Sequence, residues 1–361
     1  MGDKGPVRVL IVDDSAVVRR QISRFLEQDP EIEVVGFAAD PYQARDEILR
    51  LKPDVLTLDI EMPKMDGLTF LGILMKQRPL PVVVISSVST RGSTVAMEAL
   101  KLGAVDVLGK PRSSSDIGHL GPLLAQKVKA AARCRLQTHL SATQGPFVRR
   151  PVSSHPFNNG NGTDPRQVVL LGASTGGTEA VKGVLADLPA TMPGILIVQH
   201  IPAFFSKAWA ERMDQMSALD VREAVDGDRT RPGLALVAPG DQHMTISWVG
   251  GAYRVQLNHG PPVWHQRPAV DVLFRSAVAA KAAPHATAAV FTGMGRDGAE
   301  GLLELRKGGA RTFTQSADSC VVYGMPKAAD DLGASQKSVH LNQMARALRD
   351  AVNQPPPAPA T

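Results

Sequence analysis

Short apolar runs alternate with helical patterns over the first 112 residues of the chain. Residues 7–13 (VRVLIVD) are β-branched and apolar almost throughout, which is typical of a strand buried on both faces. Within 15–29 the apolar residues follow the spacing of a helix. Further strands are predicted at 54–60, 81–87 and 104–109, with EVVGFA as the second strand and helices near 41–51 and 90–102. Strands that alternate with helices predict an α/β domain with a doubly wound parallel sheet over residues 1–112.

The same alternation resumes at residue 166 and predicts a second α/β domain, also a doubly wound parallel sheet, over 166–350. The predicted strands are RQVVLLGAS, GILIVQH, TAAVFTGMG and the shorter LALVAPG and YRVQLNH. The predicted helices are TEAVKGVLADL, about 203–216, PAVDVLFRSAVAAK and GAEGLLELRKGG. Residues 113–165 begin and end in Ser, Gly, Pro and Asn and are interpreted as a linker with a possible helix, and 351–361 as a disordered tail.

Composition narrows the class of protein. The chain has 361 residues, of which 43% are apolar and 21% charged, so a mainly disordered chain is excluded. We find no apolar run long enough for a membrane span, and the acidic N-terminus is unlike a signal peptide. With only Cys134 and Cys320, neither a disulfide scaffold nor a cysteine-rich zinc site is expected. We therefore expect a cytoplasmic protein without direct membrane insertion.

The net charge of +5 is small. The excess of basic over acidic residues is densest in the linker, where residues 113–165 carry six basic and two acidic side chains. A regulator with a DNA-binding second domain would concentrate basic residues on that domain, whereas residues 166–361 are nearly neutral. We therefore expect no nucleic-acid partner.

Polar residues follow the predicted strands of the first domain at one edge of the sheet. Asp13 and Asp14 end the first strand, Asp59 ends the third, Ser86 lies near the end of the fourth and Lys110 follows the fifth. The carboxyl ends of parallel strands face one crevice, so these groups should meet there. Carboxylates gathered in this way suit a hard cation such as Mg²⁺, and Asp59 could be a nucleophile that forms an aspartyl phosphate.

VDDS at 12–15, LDIEMPKMDG at 58–67, ISS at 85–87 and GKP at 109–111 resemble the signatures of response-regulator receiver domains. The resemblance implies a flavodoxin-like fold in which Asp59 accepts a phosphoryl group from a histidine kinase. It also implies that Asp14, Asp59 and the backbone carbonyl of Glu61 hold Mg²⁺, with Asp13 alongside. Val107 stands where many receivers carry an aromatic residue.

A second set of candidate residues follows the strands of the second domain. Ser174 lies in GASTGGT between a strand and a helix, where glycines permit a sharp turn and helix N–H groups can stabilise an oxyanion. His200 ends the next strand and Asp297 follows another, so the three could form a serine–histidine–aspartate triad.

Each of these residues also has a plainer interpretation. The glycine loop could hold a phosphate at the helix N-terminus, although it fits neither G-x-x-x-x-G-K nor G-x-G-x-x-G. His200 could be structural, and Asp297 could cap the following helix.

LLGASTGGTEA, VQH, HMTI at 243–246, RPAVDVLFRSA, TGMGRDGAEG and YGMPKAA resemble the Rossmann-like catalytic domain of chemotaxis protein-glutamate methylesterases. The resemblance implies a serine hydrolase, activated by phosphorylation, that removes methyl esters from chemoreceptor glutamates, releases methanol and also deamidates glutamines. It carries over Ser174, His200 and Asp297 as the triad, the Met294 N–H as an oxyanion donor, and Thr175, Gly176 and Gly177 as lining residues.

The implied partners are a histidine kinase of the chemotaxis type and the methylated cytoplasmic domains of chemoreceptors, and no cofactor is expected at the esterase site. Relatives often carry His two residues before the Pro of the RPxVD motif, whereas this chain has Gln266 there and His265 beside it. Two alternatives stay open: an esterase with another substrate, and a binding module that has kept the fold without the activity.

Overall fold

The computed structural model describes residues 5–86, 90–110, 114–134 and 164–354. The chain divides into two compact units, Met1–Thr143 and Gln144–Thr361. Most of the predicted linker (135–163) and most of the predicted tail (355–361) lie outside the described residues.

In the described part of the first unit, five strands alternate with five helices. Their bounds are β1 Val7–Val12, α1 Ala16–Leu26, β2 Ile32–Ala38, α2 Pro41–Leu51, β3 Val55–Asp59, α3 Gly67–Gln77, β4 Val82–Ser86, α4 Thr90–Lys101, β5 Asp106–Gly109 and α5 Ser114–Ala132. All neighbouring strands pair in parallel, in the order β2-β1-β3-β4-β5. This is the flavodoxin-like order, so the predicted fold class is confirmed for this unit.

Several helices of the first unit begin at a polar residue whose side chain caps the first turn. Ser15 caps α1 by accepting a hydrogen bond from the Val18 N–H, and Asp40 caps α2 by accepting from the N–H groups of the two residues that follow Pro41. Asp66 caps α3 in the same way. These caps pair backbone donors that the first turn of a helix leaves free.

Helix α5 lies in the segment that the sequence assigned to a linker with a possible helix. The helix packs against α1 and against strands of the first sheet. Lys129 forms ion pairs with Asp29 (2.6 Å) and Glu31 (2.8 Å), and the buried Lys127 lies 2.7 Å from Asp106. The possible helix is therefore present, and its contacts make it an element of the first unit.

The second unit contains nine strands and six α-helices in its described part. Their bounds are β6 Val168–Ala173, α6 Gly177–Asp187, β7 Gly194–Gln199, α7 Ala203–Met216, β8 Asp220–Glu223, β9 Leu234–Val237, β10 His243–Val249, β11 Ala252–Asn258, α8 Val270–Ala279, β12 Ala286–Val290, α9 Ala299–Lys307, β13 Arg311–Gln315, α10 Met325–Asp331, β14 Lys337–Val339 and α11 Leu341–Val352.

Seven of these strands form one parallel sheet in the order β14-β13-β12-β6-β7-β9-β8. Alternate residues of β6 point to opposite faces: Val168 and Leu170 join a core that includes residues of α8 and α9, while Val169 and Leu171 are buried as well. Burial on both faces explains why the strand sequence is apolar without alternation. The predicted parallel α/β architecture is confirmed for this unit too.

The strand order reverses at β6, because the chain proceeds from β6 to β7 on one side and later returns to β12 on the other. Such a reversal leaves a crevice at the carboxyl ends of the two central strands, where ligands of open α/β sheets bind. Ser174 directly follows β6 and His200 directly follows β7.

An antiparallel hairpin of β10 and β11 lies outside the seven-stranded sheet, with His243 paired to Asn258 and Val249 to Ala252. The sequence analysis predicted a strand at YRVQLNH but not its partner β10. Both strands alternate between buried and more exposed residues over much of their length, as expected where one face packs on the core.

We predict that Lys127→Met loosens α5, because it leaves the Asp106 carboxylate partly buried without its cation. The expected loss of local stability is about 1–3 kcal/mol. Hydrogen exchange measured by mass spectrometry on peptides that cover 121–132 should become faster. The double variant Lys127→Met/Asp106→Asn should recover most of the protection, and equal exchange in the wild type and in Lys127→Met would contradict the prediction.

Candidate functional site

Ser174 begins a tight turn between β6 and α6. Its N–H donates to the carbonyl of Thr292 (3.0 Å), and its carbonyl accepts from the N–H of Gly177 (2.7 Å). The residue is buried, with 7% of its surface exposed. These bonds fix the backbone of Ser174 at the crevice.

The glycines of this turn are required by its geometry. Gly176 has a φ of +78°, in the left-handed region, and a β-carbon there would lie 2.5 Å from the side chain of Val321. A β-carbon on Gly177 would lie 2.4 Å from the side-chain oxygen of Gln199. The glycine-rich turn predicted at Ser174 is therefore present, and larger residues would not fit it.

His200 and Asp297 form a buried pair, with 2.7 Å between His200 Nε2 and Asp297 Oδ2. A carboxylate can only accept hydrogen bonds, so Nε2 carries the proton and Nδ1 is the basic nitrogen of the neutral ring. Nδ1 is buried and has no hydrogen-bond partner among the described residues. The imidazole is therefore oriented by Asp297, with its basic atom free.

Asp297 also accepts two hydrogen bonds from the N-terminus of α8. The Val270 N–H lies 2.7 Å from Oδ2, and the Asp271 N–H lies 2.9 Å from Oδ1. Asp297 thus caps a helix, as the plainer interpretation proposed, but this helix is α8 rather than the following α9. The same carboxylate binds His200, so capping and orientation of the imidazole are combined in one side chain.

The backbones of Ser174 and His200 lie close together, because one Gln199 side chain donates to both carbonyls, but no hydrogen bond joins Ser174 Oγ to His200. The two backbones are joined through Ala173, whose carbonyl accepts from the His200 N–H at 3.0 Å. In enzymes without substrate, catalytic hydrogen bonds often form only when the substrate is bound.

The segment 292–294 borders Ser174. A β-carbon on Gly293 would lie 2.6 Å from Ser174 Cβ, so the glycine permits this close approach and Met294 follows directly. The Thr292 hydroxyl lies 3.0 Å from the carbonyl oxygen of the buried Thr175. Gly293 and Thr175 therefore lie beside Ser174, while the position and role of the Met294 N–H stay a prediction.

A turn at 263–266 contacts the carboxylate of Asp271. Trp264 and His265 have φ values of +53° and +61°, and Val263 and Gln266 exchange two backbone hydrogen bonds around them. The Trp264 indole N–H donates to Asp271 Oδ2 at 2.8 Å. Gln266 is buried at the base of the turn and His265 is exposed at its tip.

Asp271 continues this set of contacts toward α9. Its Oδ1 accepts from the Gly301 N–H at 2.7 Å. Burial raises the pKa of the Asp271 carboxyl, and the negative charge of Asp297 raises it further. The guanidinium of Arg296 lies over the Trp264 ring, 4.9 Å from its centre.

The predicted acidic pocket of the first unit is also present. Lys110 Nζ lies 2.7 Å from Asp59 Oδ2 and 3.1 Å from Asp13 Oδ2, and both carboxylates are buried. Ser86 is buried at the end of β4, where its backbone pairs with Gly109. These residues lie at the carboxyl ends of β1, β3, β4 and β5, as the sequence predicted.

The Asp13, Asp14 and Asp59 carboxylates could hold a cation. One oxygen from each lies within 4.8 Å of the others, and oxygen donors of this kind suit Mg²⁺. The donor set therefore fits the metal that receiver domains imply. The Glu61 N–H lies 3.4 Å from Asp59 Oδ1, and a contribution from the Glu61 carbonyl stays a prediction.

Burial raises the pKa of the Asp59 carboxyl, and the charge of Asp13 adds to the effect, although Lys110 opposes it. Burial alone would lower the pKa of Lys110, but its hydrogen bond to Asp59 and the charges of Asp59 and Asp13 raise it overall. The ammonium group of Lys110 therefore stays charged between the two carboxylates.

Comparison with known proteins identifies both units. Residues 9–120 match the response regulator receiver domain and residues 169–348 match the CheB methylesterase domain. A protein-glutamate methylesterase/protein-glutamine glutaminase 2 of Syntrophus aciditrophicus (strain SB) is 49% identical over 94% of this chain and 97% of its own length. The chain belongs to the CheB methylesterase family.

A second relative agrees with this membership in the CheB family. A protein-glutamate methylesterase/protein-glutamine glutaminase 1 of Xanthomonas campestris pv. campestris is 49% identical over 95% of this chain and 96% of its own length. The crystal structure of the Thermotoga maritima CheB methylesterase catalytic domain is 32% identical, covering 51% of this chain and 97% of that one with a TM-score of 0.49.

Two residues of this CheB-family site were not predicted as functional from the sequence. Gln199 directly precedes His200, and Asp271 lies in the quoted RPAVDVLF segment. Both residues lie in motifs quoted for the family resemblance, VQH and RPAVD, and this was the signal that could have marked them as functional. Among the described residues, no helix combines the length and the apolar character that crossing a membrane requires.

We predict that Lys110→Met raises the pKa of Asp59 further, because it removes the ammonium that stabilises the ionised carboxylate. A carboxyl group with a raised folded-state pKa contributes stability below its unfolded pKa and loses that contribution as the pH rises through the folded pKa. The variant should therefore be destabilised more at pH 7 than at pH 4. Carboxyl NMR titration and denaturant unfolding at both pH values measure these effects.

Lys101→Met is the matched control, because Lys101 pairs with Glu98 on the exposed surface of α4. It should change stability by less than about 1 kcal/mol at either pH. An unchanged Asp59 pKa in Lys110→Met would contradict the prediction.

Proposed function

We propose that this chain is a phosphorylation-activated protein-glutamate methylesterase of bacterial chemotaxis. It hydrolyses glutamate methyl esters in the cytoplasmic domains of chemoreceptors, releases methanol and deamidates receptor glutamines. The observation that carries the proposal is the near full-length similarity to methylesterase/glutaminases. The buried His200–Asp297 pair beside Ser174 supports the catalytic part.

In the proposed reaction, Ser174 Oγ attacks the glutamyl ester carbonyl while His200 Nδ1 takes the hydroxyl proton. The free lone pair on Nδ1 supports this role, since Nε2 is committed to Asp297. The new C–O bond gives a tetrahedral oxyanion, which we expect the Met294 N–H to stabilise. The ester C–O bond then breaks, and methanol leaves with the proton from His200.

Water completes the proposed cycle. His200 Nδ1 takes a proton from water as its oxygen attacks the glutamyl–Ser174 ester, and the bond to Ser174 then breaks. The products are a receptor glutamate and free Ser174. Deamidation follows the same course, with ammonia in place of methanol as the leaving group.

The proposed regulation begins at Asp59. A carboxylate oxygen of Asp59 attacks the phosphoryl group of a phosphohistidine on a chemotaxis-type kinase, a P–O bond forms and the P–N bond breaks. Asp14, Asp59 and the Glu61 carbonyl would hold Mg²⁺, which when bound would offset the charge of the phosphoryl group. Lys110, now paired with Asp59 and Asp13, can pair with the phosphoryl oxygens, and Ser86 can donate to one of them.

We predict that Ser174→Ala abolishes methanol release from methylated receptor membranes. The expected loss is about 10³-fold or more, because no other group replaces the nucleophile. Thermal unfolding should be nearly unchanged, and Ser338→Ala on the exposed strand β14 serves as the control. Substantial activity in folded Ser174→Ala would refute a serine nucleophile.

We predict that a small acyl phosphate with Mg²⁺ raises methanol release by the wild type about tenfold, the usual size of coupling between two sites. Asp59→Asn should neither become phosphorylated nor respond, while the exposed Asp46→Asn should behave as the wild type. Phosphorylation is located by mass spectrometry of peptides. If Asp59→Asn is still activated, the phosphoacceptor lies elsewhere.

A further inference from the structure

The side chain of Gln199 lies between the backbones of the two proposed catalytic residues. Gln199 ends β7, where it pairs with Ala173 of β6, and only 2% of its surface is exposed. Its Nε2 group donates to the carbonyl of Ser174 at 2.9 Å and to the carbonyl of His200 at 3.3 Å. One carboxamide therefore joins the ends of two strands.

The orientation of this carboxamide follows from its partners. Both carbonyl oxygens can only accept, so the NH₂ group faces them and Oε1 faces the opposite way. Oε1 is buried and has no hydrogen-bond partner among the described residues. It lies against the start of α6, where the absence of a side chain at Gly177 makes room for it.

An unpaired buried acceptor is a cost to stability that an apolar side chain of the same length would avoid. The donor half of the carboxamide, by contrast, contacts both residues whose mutual geometry decides proton transfer. A backbone hydrogen bond from the His200 N–H to the Ala173 carbonyl also joins the two strand ends. The contacts thus point to catalysis as the reason for a polar residue at this position.

We propose that Gln199 is a positioning residue that holds Ser174 and His200 in the relative position that acyl transfer requires. Its NH₂ group fixes the carbonyl of Ser174 relative to that of His200, and so fixes where Oγ lies relative to Nδ1. This inference rests on the proposed function, because it assigns Ser174 as the nucleophile and His200 as the base. Gln199 acts through these two residues and does not itself contact the reacting atoms.

The test compares Gln199→Met with the wild type in the full-length protein. Methionine keeps the length of the side chain and removes both donors. Two rates are measured: methanol release from methylated receptor membranes, and labelling of Ser174 by an alkyl fluorophosphonate. In the second reaction Ser174 Oγ forms a bond to phosphorus and fluoride leaves, so its rate reports on the nucleophile without a receptor.

We expect both kcat and the labelling rate of Gln199→Met to fall about 10- to 100-fold, the range that small misplacement of reacting groups produces. KM for the receptor should stay within about twofold, because ground-state binding is untouched. Thermal unfolding should occur near the wild-type temperature, because removal of the unpaired Oε1 offsets the loss of the two hydrogen bonds to the carbonyls.

Thr312→Val is the matched control. Thr312 is a fully buried residue of β13 whose hydroxyl donates to the Ala334 carbonyl, and it lies toward the amino end of its strand, away from Ser174. This variant also exchanges a buried polar group for an apolar one, so it measures the effect of such a change elsewhere in the sheet. Its labelling rate per folded molecule should equal that of the wild type.

Three results would overturn the inference: labelling of Gln199→Met at the wild-type rate, an equal decrease in Thr312→Val, or a loss of activity that matches the unfolded fraction of Gln199→Met. A wild-type protein that is labelled at Ser174 but releases no methanol would instead refute the proposed substrate. In that case the labelling rates of the variants still decide the role of Gln199.

Discussion

The Asp297 carboxylate is the contact on which the geometry of the candidate active site depends. It accepts from His200 Nε2 and from the first two N–H groups of α8, so one side chain joins the end of β7, the segment after β12 and the start of a helix. A buried carboxylate needs such donors, because burial without them would favour its neutral form. The positive end of the helix dipole adds to the stabilisation of the charge. The contact of Asp297 with His200 Nε2 leaves Nδ1 as the free nitrogen of the imidazole.

Both units use the same property of parallel sheets. Strands that run in one direction deliver their carboxyl ends to one edge, so residues far apart in sequence meet there. In the first unit this edge collects carboxylates and a lysine, an arrangement suited to phosphoryl chemistry. In the second unit it collects a serine in a glycine turn and a histidine oriented by a carboxylate, an arrangement suited to acyl transfer. The chemistry differs because the residues that follow the strands differ, while the frame is shared.

Strand-end residues were predictable because their position depends on local pattern alone. Asp59, Ser174 and His200 each follow an apolar run. That pattern alone places them at the carboxyl-end edge of a parallel sheet, whatever the order of the strands. The contacts of Gln199 and Asp271 were not predictable in the same way, since they depend on which strands become neighbours and on how closely glycines let the backbone approach. Asp297 illustrates the difference: its place after a strand was predicted, but the helix that it caps begins 27 residues earlier in the chain, at Val270.

Other differences have equally physical origins. Helix α5 begins within a Ser-rich stretch that suggested a linker, yet its Lys127 and Lys129 form ion pairs with carboxylates of the first unit. Strand β10 escaped prediction because its polar residues weaken the apolar signal, and its register with β11 depends on a turn of two glycines. In each case tertiary partners decide the outcome that local composition leaves open.

The carboxylates of Asp297 and Asp271 each bind the start of the other's helix. Asp297, just before α9, accepts from the first two N–H groups of α8. Asp271, in α8, accepts from the Gly301 N–H in α9. Neither helix can fray at its N-terminus without releasing a carboxylate that the other helix, or His200, relies on. We therefore expect the two helix starts to open together rather than separately. The orientation of His200 and the order of both helix starts thus depend on the same two carboxylates.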